Sequence, residues 1–139
     1  MFTMPQKVLF KHCDPAGIVF YPRYFEMIND CIEAWFDHLG TPFEIMHSTG
    51  FGVPTARLNT EFRSPSRHGD MLTLTLIPIR VGTSSLQLTL DAHCGEQHRF
   101  HCESTLVYVA LTTGKSSPWP EVLHHAIATD LEKGQNNGA

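Results

Sequence analysis

The chain has 139 residues and a formal charge of −4 with histidine neutral, a length that suits one compact domain able to bury a core without disulfide or metal staples. No run of Lys and Arg rises out of that acidic balance, which excludes nucleic acid as a partner on electrostatic grounds but not a local basic pocket for a small phosphorylated ligand. No apolar run approaches the roughly 20 residues of a membrane-spanning helix, and Cys13, Cys31, Cys94 and Cys102 show no paired spacing, so the expectation is a cytoplasmic protein with free thiols and no membrane partner.

Residues 5–11 read as a short extended stretch running into a loop, 12–20, where Asp14-Pro15 and Gly17 are turn signals. From Pro22 the pattern changes. Tyr24, Phe25, Ile28, Ile32, Trp35, Phe36 and Leu39 recur at helical spacing, while Arg23, Glu26, Asn29, Asp30, Glu33 and Asp37 take the other faces. Pro22 suits the first turn, where a missing N–H costs nothing, and Gly40 followed by Pro42 closes the helix. Residues 43–50 read as a connection.

Beyond them the chain is extended. Leu72, Leu74 and Leu76 alternate with Thr73 and Thr75, and Leu86, Leu88 and Leu90 alternate with Gln87, Thr89 and Asp91, as strands with one face on a core do. Residues 52–63 and 98–111, between the turn signals Ser64-Pro65 and Thr113-Gly114, read as two further strands. If Leu86 to Ala92 share their core face with Phe100, Cys102, Ser104 and Leu106, then Leu86 opposes Leu106 and Ala92 opposes Phe100. That register requires a three-residue loop at 95–97 or an equivalent bulge. Residues 119–131 return to helical spacing through Val122, Leu123, Ile127 and Leu131, and 132–139 read as a frayed, disordered tail. No repeat or linker divides the chain, so 1–139 is expected as a single α+β domain with an antiparallel sheet packed on, and partly wrapped around, a long central helix.

The densest chemistry lies in HCDPAGIVFYPRYFEMINDCIEAWF, residues 12–36, of which HCDPAGIVFYPRYFE, 12–26, opens the segment. Asp14 sits in a tight loop just ahead of a helix N-terminus, whose backbone N–H groups lack intrahelical partners and carry partial positive charge, fit to hold a developing oxyanion. The carboxylate can act as base or nucleophile, and Gly17 lets backbone approach a ligand closely. On spacing alone, Asp14 reads first as a turn residue that caps its own loop.

This stretch resembles the signature of the hotdog-fold acyl-CoA thioesterases of the 4-hydroxybenzoyl-CoA thioesterase family, in which Asp-Pro-Ala-Gly-Ile-Val precedes a Tyr-Pro helix start. The order of strand, helix and four strands agrees over nearly the whole chain. The resemblance implies a hotdog fold, Asp14 as the catalytic carboxylate and the backbone N–H of Tyr21 as the group that polarises the thioester carbonyl, with Pro22 and Gly17 serving geometry. It further implies an aryl- or short-chain acyl-CoA substrate, no cofactor beyond the coenzyme A that the substrate carries, and homodimers often stacked into homotetramers with sites between subunits. The best-known member meets the CoA nucleotide with a basic run before its fourth strand. Here that stretch is Arg80-Val81-Gly82-Thr83-Ser84-Ser85, which leaves Arg63, Arg67 and Arg80 as candidates for CoA phosphate contact. Two other functions fit the same pattern, an enoyl-CoA hydratase or dehydratase using Asp14 as proton shuttle and a non-catalytic acyl-CoA or acyl-carrier binding module.

The remaining candidates have bland readings. In the register above, Cys94 and Cys102 face the core while His93 and His101 face away, and neither CxxC nor HExxH spacing is present, so no metal is expected. His12 reads as a solvated loop residue, Cys13 as a small packing residue without a base, the Tyr21 ring as packing, and His124-His125 as a solvated helix face.

Overall fold

The helical spacing after Pro22 is realised as α1 (Pro22–His38), with Pro22 in its first turn, in a computed structural model that describes residues 1–137. At its C-terminal end Thr41 N–H donates to the Phe36 carbonyl and Gly40 N–H to that of Asp37, both at 3.0 Å. That closure needs the left-handed backbone Gly40 adopts, φ +89°, which only glycine takes without a steric penalty. Seven residues of α1 between Tyr24 and Phe36 are buried. Each large side chain removed from water contributes about 1.5–3 kcal/mol, so packing of this face, more than helix propensity, holds α1 in place.

The face lies on a five-stranded antiparallel sheet made of β1 (Phe2–Lys7), β3 (Thr55–Phe62), β4 (Met71–Val81), β5 (Ser85–Cys94) and β6 (Gln97–Val107), in the order β1-β4-β5-β6-β3. The leucines of β4 and β5 that alternate in sequence are all buried against it. Two short strands, β2 (Phe51–Gly52) and β7 (Val109–Ala110), pair separately. Helix α3 (Glu121–Asn137) packs along β4 and is tied to α1 by the Trp35 indole, which donates to Asp130 Oδ2 at 2.9 Å.

Several boundaries differ from expectation, and the strands read over 52–63 and 98–111 are each broken, between β2 and β3 and between β6 and β7. The first strand runs over 2–7 and not 5–11, and residues 10–12 form a 3₁₀ turn; Pro5 is tolerated because β1 is an edge strand bonded only to β4. Residues 43–48 form a helix, α2 (Phe43–Ser48), and not a plain connection; six residues are too few to display helical periodicity. The polar stretch from 132 continues α3 as far as Asn137, because a nucleated helix extends at little cost. The rest of the expected tail, 138–139, lies outside the described residues.

The β5–β6 register is the expected one from Leu86–Leu106 to Ala92–Phe100, but His93 then opposes His98. Arg99 is therefore an extra residue on β6, a bulge beside the two-residue turn Gly95-Glu96 and not a three-residue loop. The bulge leaves Arg99 and Phe100 both buried. It also brings His98 Nε2 and His101 Nδ1 each to 2.8 Å from Asp91 Oδ1. Among the described residues no group of three or more His, Cys, Asp or Glu is arranged to hold a metal ion.

The hydrogen bond to Asp91 holds the His101 pKa above the usual imidazole value, with burial acting in the opposite sense. A base raised in the folded state adds stability that is complete below its unfolded pKa of about 6.5 and is lost as the pH rises through the folded value. His101→Gln is therefore expected to flatten the fall in Tm on going from about pH 6 to about pH 8.5 in thermal unfolding. An unchanged slope would detach this pair from stability.

Candidate active site

The loop ahead of α1 is a small hairpin. Cys13 bridges Val19, Asp14 N–H donates to the Ile18 carbonyl at 3.0 Å, and Gly17 N–H donates to the Asp14 carbonyl at 2.9 Å. The turn needs Gly17 at φ +81°, the left-handed region again. The Asp14 carboxylate accepts the Ala16 N–H on Oδ1 at 2.9 Å, so the turn-capping role read from sequence is present. It engages one of the two carboxylate oxygens, and the side chain stays partly exposed at the hairpin tip.

Seven residues further on, the amides at the start of α1 sort themselves. Phe20 N–H donates to the His12 carbonyl at 2.9 Å, Arg23 N–H to that of Phe20 at 2.8 Å and Tyr24 N–H to that of Tyr21 at 3.1 Å. Pro22 has no N–H to give. Among the described residues this leaves the Tyr21 N–H as the unengaged donor, at the positive end of the helix. The Tyr21 ring, read as packing, is instead 59% exposed, with edge contacts to Phe20 and Phe62 at centroid distances of 5.6 and 6.2 Å. Together with Ile18, Val19, Tyr24 and Arg63 it borders a shallow cleft of about 260 Å³. Asp14 is not among the residues that line it; larger depressions lie along α3 and on the outer face of the sheet, and neither Asp14 nor Tyr21 lines those.

The arginines divide. Arg63 borders the cleft and pairs with Glu61 at 2.7 Å, and Arg67 bridges Ile18 beside the Asp14 hairpin. Arg80 sits near the opposite end of β4 from Met71, roughly 30 Å away at about 3.3 Å per residue, and within one chain does not join them. His12 is buried and not solvated: its Nδ1 accepts the Leu9 N–H at 2.8 Å, which puts any ring proton of the neutral form on Nε2, and burial followed by Lys11 lowers its pKa. It closes the 3₁₀ turn. Cys13 is partly buried with its thiol directed at the Leu9 carbonyl, 3.8 Å away.

The hairpin has a neighbour from which sequence reading took a turn signal and two candidate CoA-binding arginines, the segment 63–70. Val19 N–H donates to the Ser66 carbonyl at 2.8 Å, and Val8 and residues 69–70 exchange two bonds of 2.8 Å. Ser66 and Arg99 are buried polar residues in this region, and neither stood out in the sequence.

Residues 8–127 match the thioesterase-like superfamily. The chain belongs to that superfamily. The matched span contains both Asp14 and Tyr21. Among superfamily relatives, the 1,4-dihydroxy-2-naphthoyl-CoA hydrolase of Synechocystis sp. is 23% identical over 134 residues, which cover 94% of this chain and 96% of the relative. The 4-hydroxybenzoyl-CoA thioesterase of Pseudomonas sp. is 31% identical over 75 residues, about half of each protein at 52% and 53%. The crystal structure of a 1,4-dihydroxy-2-naphthoyl-CoA thioesterase from Synechocystis superposes with a TM-score of 0.86 at 24% identity, covering 94% of this chain and 97% of that one. As a member of the thioesterase-like superfamily the chain is a thioester hydrolase, and its sheet on a central helix is the hotdog fold that the Asp-Pro-Ala-Gly-Ile-Val resemblance implied.

Proposed function

We propose that the chain hydrolyses an aryl-CoA thioester to the free acid and coenzyme A, with Asp14 as nucleophile or general base and the Tyr21 N–H as oxyanion donor. The observation that supports this reading is that a partly exposed carboxylate lies on the hairpin that leads into α1, at whose start the Tyr21 N–H is, among the described residues, without a hydrogen-bond partner. In the nucleophilic route Asp14 attacks the carbonyl carbon, the C–S bond breaks with CoA leaving as thiolate, and water then cleaves the mixed anhydride. In the general-base route Asp14 takes a proton from the attacking water and the same C–S bond breaks. Either way negative charge develops on the carbonyl oxygen, where a fixed donor at a helix terminus stabilises it. The aromatic border of the cleft, Tyr21, Tyr24 and Phe62, suits a planar ring, and the named relatives act on aryl thioesters. No cofactor is needed beyond the CoA of the substrate, and the chain works as a single domain.

The working unit in this proposal is a homodimer, singly or as half of a homotetramer. Among the described residues strand β3 is bonded on one side only, and its Leu58 and Phe62 are 43% and 49% exposed. An unpaired edge of eight residues carrying two exposed apolar side chains invites pairing with another strand, and a second copy of β3 would cover it. Phe62 touches the Tyr21 ring, so that junction would run beside the cleft.

Assay of thiol release from benzoyl-, hydroxybenzoyl-, acetyl- and crotonyl-CoA tests the function. Preferred release from the aryl thioesters is expected; hydration of crotonyl-CoA without thiol release would overturn it. For the CoA phosphates, Arg63→Ala and Arg67→Ala are each expected to raise KM roughly three- to tenfold with kcat nearly constant, as loss of a hydrogen bond of about 1 kcal/mol far from the reacting carbon would. An unaltered KM in both would remove them from the CoA site. A KM effect of Arg80→Ala would require Arg80 to reach the site from another copy.

A further inference from the structure

We infer that Arg99 is a positioning residue for the reaction, locating the Asp14 hairpin through Ser66 and Asp70. This deepens the thioesterase reading above and rests on it. Arg99 is the bulged residue of β6 and is only 8% exposed. Its Nη1 lies 2.8 Å from Asp70 Oδ2, 3.0 Å from Ser66 Oγ and 3.1 Å from the Pro65 carbonyl. Its own carbonyl accepts the N–H groups of Arg63 at 2.8 Å and Ser64 at 3.2 Å. One residue thus holds the segment 63–70 at both ends.

That segment in turn carries the hairpin. The Ser66 carbonyl accepts the Val19 N–H at 2.8 Å, Arg67 bridges Ile18, and the Asp70 carbonyl accepts the Val8 N–H at 2.8 Å. Asp70 Oδ2, the oxygen bound by Arg99, also accepts the Arg67 N–H at 2.9 Å, so the ion pair and the turn share an atom. These two hydrogen bonds, the Arg67 amide first and Arg99 second, hold the Asp70 pKa below the ordinary carboxylate range. The hairpin's internal bonds fix its shape; its place against the sheet depends on Ser66 and Arg67.

Stability alone is a weak reason for such an arrangement. The pair joins a buried Arg99 to a half-buried Asp70, and an ion pair taken even partly out of water gains little once desolvation is counted; among the described residues Arg99 Nε is buried without a partner. Placement is the stronger reason, because a displacement of about 1 Å at reacting groups can cost about a hundredfold in rate.

The test is kcat and KM for benzoyl-CoA thiol release by Arg99→Met and Arg99→Lys, each alone and combined with Asp14→Asn, below the melting temperature of each variant. Arg99→Met is expected to lower kcat per folded molecule at least about tenfold, with KM within about threefold, and Arg99→Lys to recover part of the loss. In the Asp14→Asn background the Arg99 effect should vanish, since there is no carboxylate left to place. Unchanged kcat in folded Arg99→Met, or the same fold-loss with and without Asp14, overturns the inference. If Arg99→Met does not fold, Ser66→Ala removes one hydroxyl only and is expected to lower kcat about two- to fivefold, again only when Asp14 is present; no effect there overturns it equally. An active wild type with an indifferent Arg99 sinks this inference alone, whereas a wild type inactive on every thioester sinks the functional reading beneath it.

Discussion

Leu58→Asp is expected to leave the chain folded but monomeric and to abolish measurable turnover. Leu58 lies on the unbonded edge strand β3 and is 43% exposed, so little core is lost on replacing it. In a junction of two β3 edges the substitution adds a carboxylate to both partners, and burying either without a counter-charge is costly. Light scattering reads the association, circular dichroism the melting, and thiol release the activity. Loss of association and activity together, in a chain that still melts cooperatively, is the predicted result, and dilution of the wild type should reproduce it by mass action. A monomer with full turnover would mean that one chain completes the site. A variant that remains dimeric would mean that copies meet elsewhere.

Much of this architecture was legible from pattern. Pro22 and Gly40 bracket α1 because one lacks an N–H and the other tolerates the left-handed region, both local properties. The leucines of β4 and β5 announced their buried face by alternation, and the opposition of Ala92 to Phe100 followed from sharing that face. The demand for a bulge was also legible, but not its position. An arginine in an alternating strand reads as solvent-facing; the extra residue turns Arg99 inward, and only the packed sheet reveals that. For the same reason Ser66 and Asp70, in a stretch that reads as a turn, gave no signal of the network they build with it.

Elsewhere local sequence was silent or divided. His12 looks like a loop histidine, yet it is buried, with its Nδ1 accepting the Leu9 N–H. Arg80 was grouped with Arg63 and Arg67 by charge, while the length of β4 separates it from them within one chain. For Asp14 the turn-capping and chemical readings proved compatible, since the cap uses one oxygen and the Ala16 amide. The Tyr21 N–H was singled out by the family resemblance alone; Pro22 removes only its own donor and leaves that of Tyr21 undecided.

Thioester hydrolysis by a carboxylate at the start of α1 is tested most directly by kcat and KM of Asp14→Asn, measured with its melting curve. The amide keeps an oxygen for the Ala16 N–H, so the turn should persist and the Tm stay near that of the wild type. A neutral amide can neither attack the carbonyl nor take a proton from water, whereas the binding contacts and the Tyr21 N–H survive. The predicted result is a loss in kcat of at least about a hundredfold, roughly 2.7 kcal/mol of transition-state stabilisation at about 1.36 kcal/mol per tenfold, with KM within a few-fold. A kcat within a few-fold of wild type, in a protein that melts normally, would contradict it and remove Asp14 from the mechanism.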